Sequence, residues 1–384
     1  MGRGPGCASA RPGPRTNLTP DMIDPDPDEP FQRLCRWGLK PVQMQAAAAA
    51  MAADPHTRLL RVTQVQRETL AVHDGRAERS ARLLPALRHR LEAQADAIAC
   101  GDWVLARDDG HGTLWAHERL PPLTQLARRL HDGRDKVERV VIVSNVDTAL
   151  LVMGLDGDFS LRRLERFVAL SRLAGVEPVV VLTKADLCGD VAARRQQVAD
   201  TVGPAVPVLA LDGRSDEAAG LLAPWLGLGQ TLVLVGSSGA GKSTLTNTLA
   251  GHAVADTGGQ RKGDGRGRHT TTARTLHGTP QGACLIDTPG LRTLRLDGDA
   301  QALDAVFDDI ATLAAQCRFR DCRHEGEPGC AVREAVPPAR LKNFHKLQRE
   351  ARRDQVSALE RKAEVAQWKA RARHARVRMA AKRG

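Results

Sequence analysis

Gly236-Ser237-Ser238-Gly239-Ala240-Gly241-Lys242-Ser243 fits G-x-x-x-x-G-K-[ST] in full, with Thr244 directly after it. The β run "QTLVLV" precedes the octapeptide and the helical stretch "STLTNTLAG" follows, the context such a phosphate loop needs. The glycines let backbone N–H groups curl round phosphate oxygens at the positive end of a helix. Lys242 would reach the β- and γ-phosphates, and Ser243 would ligate Mg²⁺. A glycine turn with no ligand is the blander reading, and the complete match in its strand–helix setting stands against it.

Three further groups bear on the same chemistry. Asp287-Thr288-Pro289-Gly290 ends another apolar run, "GACLIDTPG". Asp287 suits an outer-shell Mg²⁺ ligand, and the Gly290 amide suits a γ-phosphate sensor. Between the two motifs lies "DGRGRHTTTAR", a glycine- and arginine-rich stretch expected to be ordered by triphosphate and released on hydrolysis. Thr271 or Thr272 would complete the Mg²⁺ shell, unless the three threonines are only an exposed β segment. Upstream, "VVVLTKADL" ends in Thr183-Lys184-Ala185-Asp186. An aspartate there can accept from guanine N1–H and the exocyclic amine, and adenine offers neither. A bidentate contact of that kind discriminates bases by about 1–3 kcal/mol. Lys184 would lie along the base plane, while Thr183 stands where asparagine is usual.

The guanine element therefore precedes the phosphate loop. Both motifs can be real only if the domain is circularly permuted, with base recognition first, then the phosphate loop and the two switches. Permutation changes connectivity and leaves packing intact.

A separate constellation follows. Cys317, Cys322, His324 and Cys330 form C-x₄-C-x-H-x₅-C. Three thiolates and one imidazole suit a closed, structural Zn²⁺ site with no open catalytic position. The remaining cysteines, Cys7, Cys35, Cys100, Cys188 and Cys284, are scattered. Arg318, Arg320, Arg323 and Arg333 surround the cluster and suit an RNA-facing surface.

The elements that must position these groups are legible in outline. The chain has 384 residues, enough for two or three domains. Residues 1–57 read as a Gly/Pro-rich disordered tail with a short Ala-rich helix, "PVQMQAAAAAMAA". No signal-peptide pattern is visible in that tail, and no apolar run reaches the roughly 18 residues of a membrane span. A cytoplasmic location with no membrane association is expected. Residues 58–120 carry short strands with Asp-Gly turns and are read as a small barrel of OB type, a fold that often binds RNA. Over 121–299, buried apolar runs alternate with helical stretches, the pattern of a mainly parallel α/β sheet. A small α zinc domain is expected over 300–345 and a basic helical tail over 346–384. From Arg340 onward there are 15 Lys/Arg against 4 Asp/Glu, and the rest of the chain balances at 41 each. The whole net charge of +11 thus lies in one C-terminal arm suited to a phosphate backbone.

Taken together, this order resembles the ribosome small-subunit-dependent GTPase A family. The stretches that carry the resemblance are "GDWV", "NVDTALLVMGLDGDFSLRRLERF", "TKADL", "GSSGAGKST", "GRHTTT", "DTPG" and "CRFRDCRHEGEPGCAV". They cover roughly residues 31–350. The resemblance implies an OB barrel, a permuted GTPase domain and a zinc domain. It also implies GTP hydrolysis stimulated by the small (30S) ribosomal subunit late in its maturation, with contacts to rRNA. The family's guanine loop falls at Asp212-Gly213, where an amide can still meet the base oxygen and the new carboxylate is expected to weaken binding. Leu291 occupies the place where Ras-like enzymes keep a water-orienting glutamine. Slow intrinsic turnover is expected, with His269 or a ribosomal group supplying that function. Two other classes remain open: a zinc-containing RNA-binding protein with a vestigial nucleotide site, and an ATP-driven P-loop protein with Asp186 accidental. Nothing in the pattern calls for a dimer, and a monomer is expected.

Overall fold

The structure, a computed structural model, describes residues 30–67, 69–131, 137–255, 274–288 and 307–355. The period-two alternation of strands sets its first layer. Strand β1 (Thr57–Val65) sends Leu60 and Val62 into one core while Leu59 joins another. It pairs antiparallel with β2 (Thr69–His73) and with β4 (Trp103–Asp108). Strand β3 (Glu78–Leu83) pairs with β2 and runs parallel to β5 (Leu114–Arg119), which returns to β4. The order β1-β2-β3-β5-β4 thus closes on itself as the expected OB-like five-stranded barrel. Helix α3 (Pro85–Ala93) places Leu87 and Leu91, one turn apart, in the barrel core.

The expected tail over 1–57 is, in its described part, two helices packed on the barrel. Helices α1 (Pro30–Cys35) and α2 (Pro41–Ala53) bring Leu34 and Ala47 against Leu59, Trp103 and Leu105, with Leu39 between the helices.

A hairpin of β6 (Gln125–His131) and β7 (Val137–Ser144) leads into the second sheet. That sheet has the order β10-β9-β8-β11-β13-β12, with β8 (Thr148–Gly154), β9 (Glu177–Thr183), β10 (Val208–Ala210), β11 (Thr231–Val235) and β13 (Cys284–Asp287) parallel. Only β12 (Thr275–Gly278) is antiparallel, and its Thr275 pairs with Gln64 of β1, joining sheet to barrel. Successive side chains of β8, β9, β11 and β13 go alternately to two cores. Leu151, Val180, Val233 and Ile286 face one, and Leu150, Val181, Leu234 and Leu285 the other. Burial on both faces explains why these runs read as continuously apolar. Helices α4 (Leu161–Leu173) and α5 (Val191–Val202) cover the first face; α6 (Glu217–Leu222) and α7 (Lys242–Ala250) cover the second.

The chain moves outward from β8 to β10, then crosses back to place β11 on the other side of β8. The carboxyl ends of β8 and β11 therefore flank the topological switch point where ligands of open α/β sheets bind.

Barrel and sheet are tied by buried polar groups. Asn145 donates to Gly101 O at 2.9 Å and accepts from Gln43 at 2.8 Å and from the Leu123 amide at 2.9 Å. Arg61 is fully buried, lies over the Trp103 ring and donates to Asn145 O at 3.0 Å.

Among the described residues, the C-terminal segment joins an existing core. Phe307, Ile310 of α8 (Asp308–Ala314), Val332 of α9 (Ala331–Ala335), and Leu341, Phe344 and Leu347 of α10 (Pro338–Gln355) share the core of Leu164, Phe167 and Val168. The described residues from Phe307 to Leu347 and the parallel sheet therefore share one hydrophobic mass. The basic arm is helical as far as Gln355; the remainder, 356–384, lies outside the described residues. Among the described residues no helix is long and apolar enough to cross a membrane.

Candidate nucleotide and metal sites

The phosphate loop begins where β11 ends, and three of its glycines are demanded by geometry. A Cβ on Gly236 would stand 2.3 Å from the Val152 carbonyl oxygen, and Gly239 and Gly241 have φ of +83° and +89°. Lys242 starts α7 and is buried, and its ammonium donates to Gly236 O at 3.0 Å and Ser237 O at 2.6 Å. Burial pushes its pKa down, and the Asp287 and Asp158 carboxylates draw it back up. Asp287 closes β13 on the same side. Burial raises its carboxyl, opposed first by Lys242, and the Ser243 hydroxyl also bonds to it. A lysine, a serine and a carboxylate are thus gathered at the first turn of α7, the chemistry a Mg²⁺–phosphate pair requires. Next to them Thr288 is buried and donates to Leu234 O at 2.5 Å. Ser238 and Gly239 are exposed at the loop's rim, Ala240 is buried beneath it, and Thr244 is half-buried one turn into α7.

The segment expected to read guanine reaches this loop from β9. Thr183 is buried and its hydroxyl donates to Ala240 O at 2.6 Å. The departure from asparagine therefore keeps a direct contact with the phosphate loop. Lys184 takes the left-handed conformation, φ +59°, and its ammonium lies 2.5 Å from Asp156. Asp186 is exposed on the short turn Ala185–Leu187. The Asp212-Gly213 segment, the other stretch expected to meet the base, lies alongside: Ala185 N donates to Leu211 O at 3.4 Å, and Thr248 of α7 donates to Gly213 O at 2.7 Å. Asp212 turns its carboxylate onto the Arg214 amide of its own loop, at 3.0 Å. Of the residues singled out by sequence, His269, Thr271, Thr272, Gly290 and Leu291 lie outside the described residues.

Sequence reasoning quoted the stretch that contains the turn after β8 but gave its residues no role. Asp156 and Asp158 sit there, and Ser237 donates to Asp158, which also pairs with Arg163 at 2.8 Å. Their signal was positional: acidic residues just beyond the carboxyl end of a buried parallel strand.

About the metal cluster, Cys317, Cys322, His324 and Cys330 bring one ligand atom each within 4.8 Å of one another. Cys317 and Cys330 sulfurs are 3.9 Å apart, and His324 Nδ1 is 3.7 Å from Cys317 and 3.4 Å from Cys330. Tetrahedral Zn²⁺ with bonds of about 2.3 Å to sulfur spaces its ligands by about 3.8 Å, so the donor set fits zinc in chemistry and in size. His324 reaches it through a left-handed backbone, φ +61°, and Gly329 supplies another, φ +71°.

The family model described as RsgA GTPase matches residues 123–297. A small ribosomal subunit biogenesis GTPase RsgA of Xylella fastidiosa (strain 9a5c) is 47% identical over 272 residues, 70% of this chain and 77% of that one. Its counterpart in Xanthomonas axonopodis pv. citri (strain 306) is 41% identical over 336 residues, covering 86% and 91%. Among solved structures, YjeQ from Thermotoga maritima aligns with a TM-score of 0.56 at 24% identity, covering 77% of this chain and 98% of that one. YloQ, described as a circularly permuted GTPase, gives 0.53 at 23% identity, covering 78% and 96%. These two show likeness of fold.

Proposed function

From the premise that this chain belongs to the RsgA GTPase family, we propose that it hydrolyses GTP to GDP and phosphate during late maturation of the small (30S) ribosomal subunit, bound to the rRNA and stimulated by the subunit. The observation that carries this reading is the meeting of a guanine element and a phosphate loop at one sheet end, through Thr183 and Ala240.

In this reading Asp186 selects guanine, Lys184 lies along the base, and the Asp212–Gly213 loop offers its amide to the base oxygen. The amides of Gly236 to Ser243, with Thr244, hold the phosphates. Lys242, held beside the loop by the Gly236 and Ser237 carbonyls, would take up phosphate charge. Ser243, Asp287 and one of Thr271 or Thr272 would hold Mg²⁺, which neutralises charge on the phosphate oxygens. Leu291 cannot orient water, so intrinsic turnover is slow, and His269 or a ribosomal group supplies that function. Zn²⁺ on Cys317, Cys322, His324 and Cys330 is structural. Arg318, Arg320, Arg323 and Arg333, with half-exposed Phe319, face rRNA, and the basic arm beyond Arg340 adds charge. The protein acts in the cytoplasm as a monomer.

GTP turnover by the purified protein, with and without small subunits and with ATP in parallel, tests the reading. Subunit stimulation restricted to GTP and lost in Lys242→Ala is expected. Equal, negligible rates in every reaction would return the chain to the class of zinc-containing RNA-binding proteins.

A further inference from the structure

The turn between β8 and α4 touches both halves of the nucleotide site. Asp156 meets Lys184 of the guanine element at 2.5 Å. A Cβ on Gly154 would stand 2.7 Å from an Asp156 carboxylate oxygen, so glycine leaves this side chain its place. Two residues on, Asp158 accepts from Ser237, the second residue of the phosphate loop, across 79 positions of sequence. Arg163, on the first turn of α4, pairs with the Asp158 carboxylate at 2.8 Å and also donates to its carbonyl.

A carboxylate in this position is an electrostatic problem. Asp158 lies near enough to Lys242 to favour its ammonium form, so it also lies near the region where phosphates must enter. An uncompensated negative charge there would repel a triphosphate. Arg163 cancels that charge at contact distance while leaving a carboxylate oxygen free to hold Ser237.

We infer that Asp158 and Arg163 form a charge-compensated brace that positions the phosphate loop through Ser237. Asp158 is the positioning residue, and Arg163 is what makes a carboxylate tolerable beside the phosphates. The inference rests on the reading of this loop as a triphosphate site.

The test is nucleotide affinity, measured with fluorescent GTP and GDP, for the full chain and for Arg163→Gln, Asp158→Asn and the double variant. Thermal unfolding is recorded for each. Arg163→Gln exposes the carboxylate, and GTP affinity should fall about tenfold, with GDP falling less because it carries less charge. Asp158→Asn alone keeps the shape and should cost about threefold or less. In the double variant GTP affinity should recover to within about threefold of the parent, since no charge is left to compensate. A merely structural role for Arg163 predicts the opposite, a double variant at least as impaired as the worse single one. A parent chain that binds GTP, with a double variant no better than Arg163→Gln or with Arg163→Gln unaffected, overturns the brace alone. A parent chain that binds neither nucleotide overturns both the brace and the reading beneath it.

Discussion

The hydroxyl of Thr183 donates to the carbonyl of Ala240 at 2.6 Å, tying the segment proposed to read guanine to a phosphate-loop motif 57 residues further along the chain. In a permuted domain these two segments belong to different halves of the sequence, and this bond is a direct link between them.

Thr183→Val is therefore expected to leave the Ala240 carbonyl buried without its partner. The cost should be about 1–3 kcal/mol, shared between folding stability and nucleotide affinity. Denaturant unfolding with and without GDP separates the two shares. Thr183→Asn, which restores a donor, should recover most of the affinity.

The C-terminal segment is clamped by a polar network that is buried at Glu165 and Asn343 and exposed at Asp309. Arg340 donates to Glu165 at 2.5 Å, to Thr201 O at 2.8 Å and to Asp309 at 2.9 and 3.0 Å, while Asn343 donates to Glu165 at 2.6 Å. Burial pushes the Glu165 carboxyl up despite Arg340; burial alone would lower Arg340, yet Asp309 and Glu165 hold it above its ordinary value. Arg340→Ala would strand a buried carboxylate, with an expected loss of about 3–5 kcal/mol. A carboxyl whose folded pKa is raised contributes stability that is complete below its unfolded pKa and lost as pH climbs through the folded value. Without Arg340 that folded value rises further. The gap in stability between Arg340→Ala and the parent should therefore narrow as pH falls from neutral toward 5. A gap independent of pH would remove Glu165 from the explanation.

Metal removal should be felt globally. Cys330 lies in the same core cluster as Phe167 and Val168 of α4. Chelation, or Cys330→Ser, is expected to lower the main unfolding transition in calorimetry. A small early transition with the main one unmoved would mean that the cluster stabilises only its own loop.

Among the described glycines, Gly101 would bring an added Cβ nearest to a neighbouring atom. Its φ is +92°, and a Cβ there would stand 2.1 Å from the Ser144 carbonyl oxygen. Gly101→Ala must displace the β7 end against the barrel and is expected to cost about 3 kcal/mol or more. A melting temperature within a degree or two of the parent would show that the junction yields easily.

Local spacing carried the chemistry that sequence could show. The glycines and lysine at 236–243 act on one another within eight residues, and the four metal ligands lie within fourteen, so chain geometry alone holds them near each other. The alternating apolar runs announced a parallel sheet because burial on both faces leaves no polar stripe. Tertiary structure decided what depends on which distant strands become neighbours. Closure of β1 on β4, the β12 bridge to the barrel and the placement of β11 beside β8 follow from pairing and crossover, which no local pattern encodes. The contacts of Asp158 with Ser237 and Arg340 with Glu165 span 79 and 175 positions. Short-range periodicity can mark such residues only as polar; which charge meets which is decided when the packed core brings their elements together.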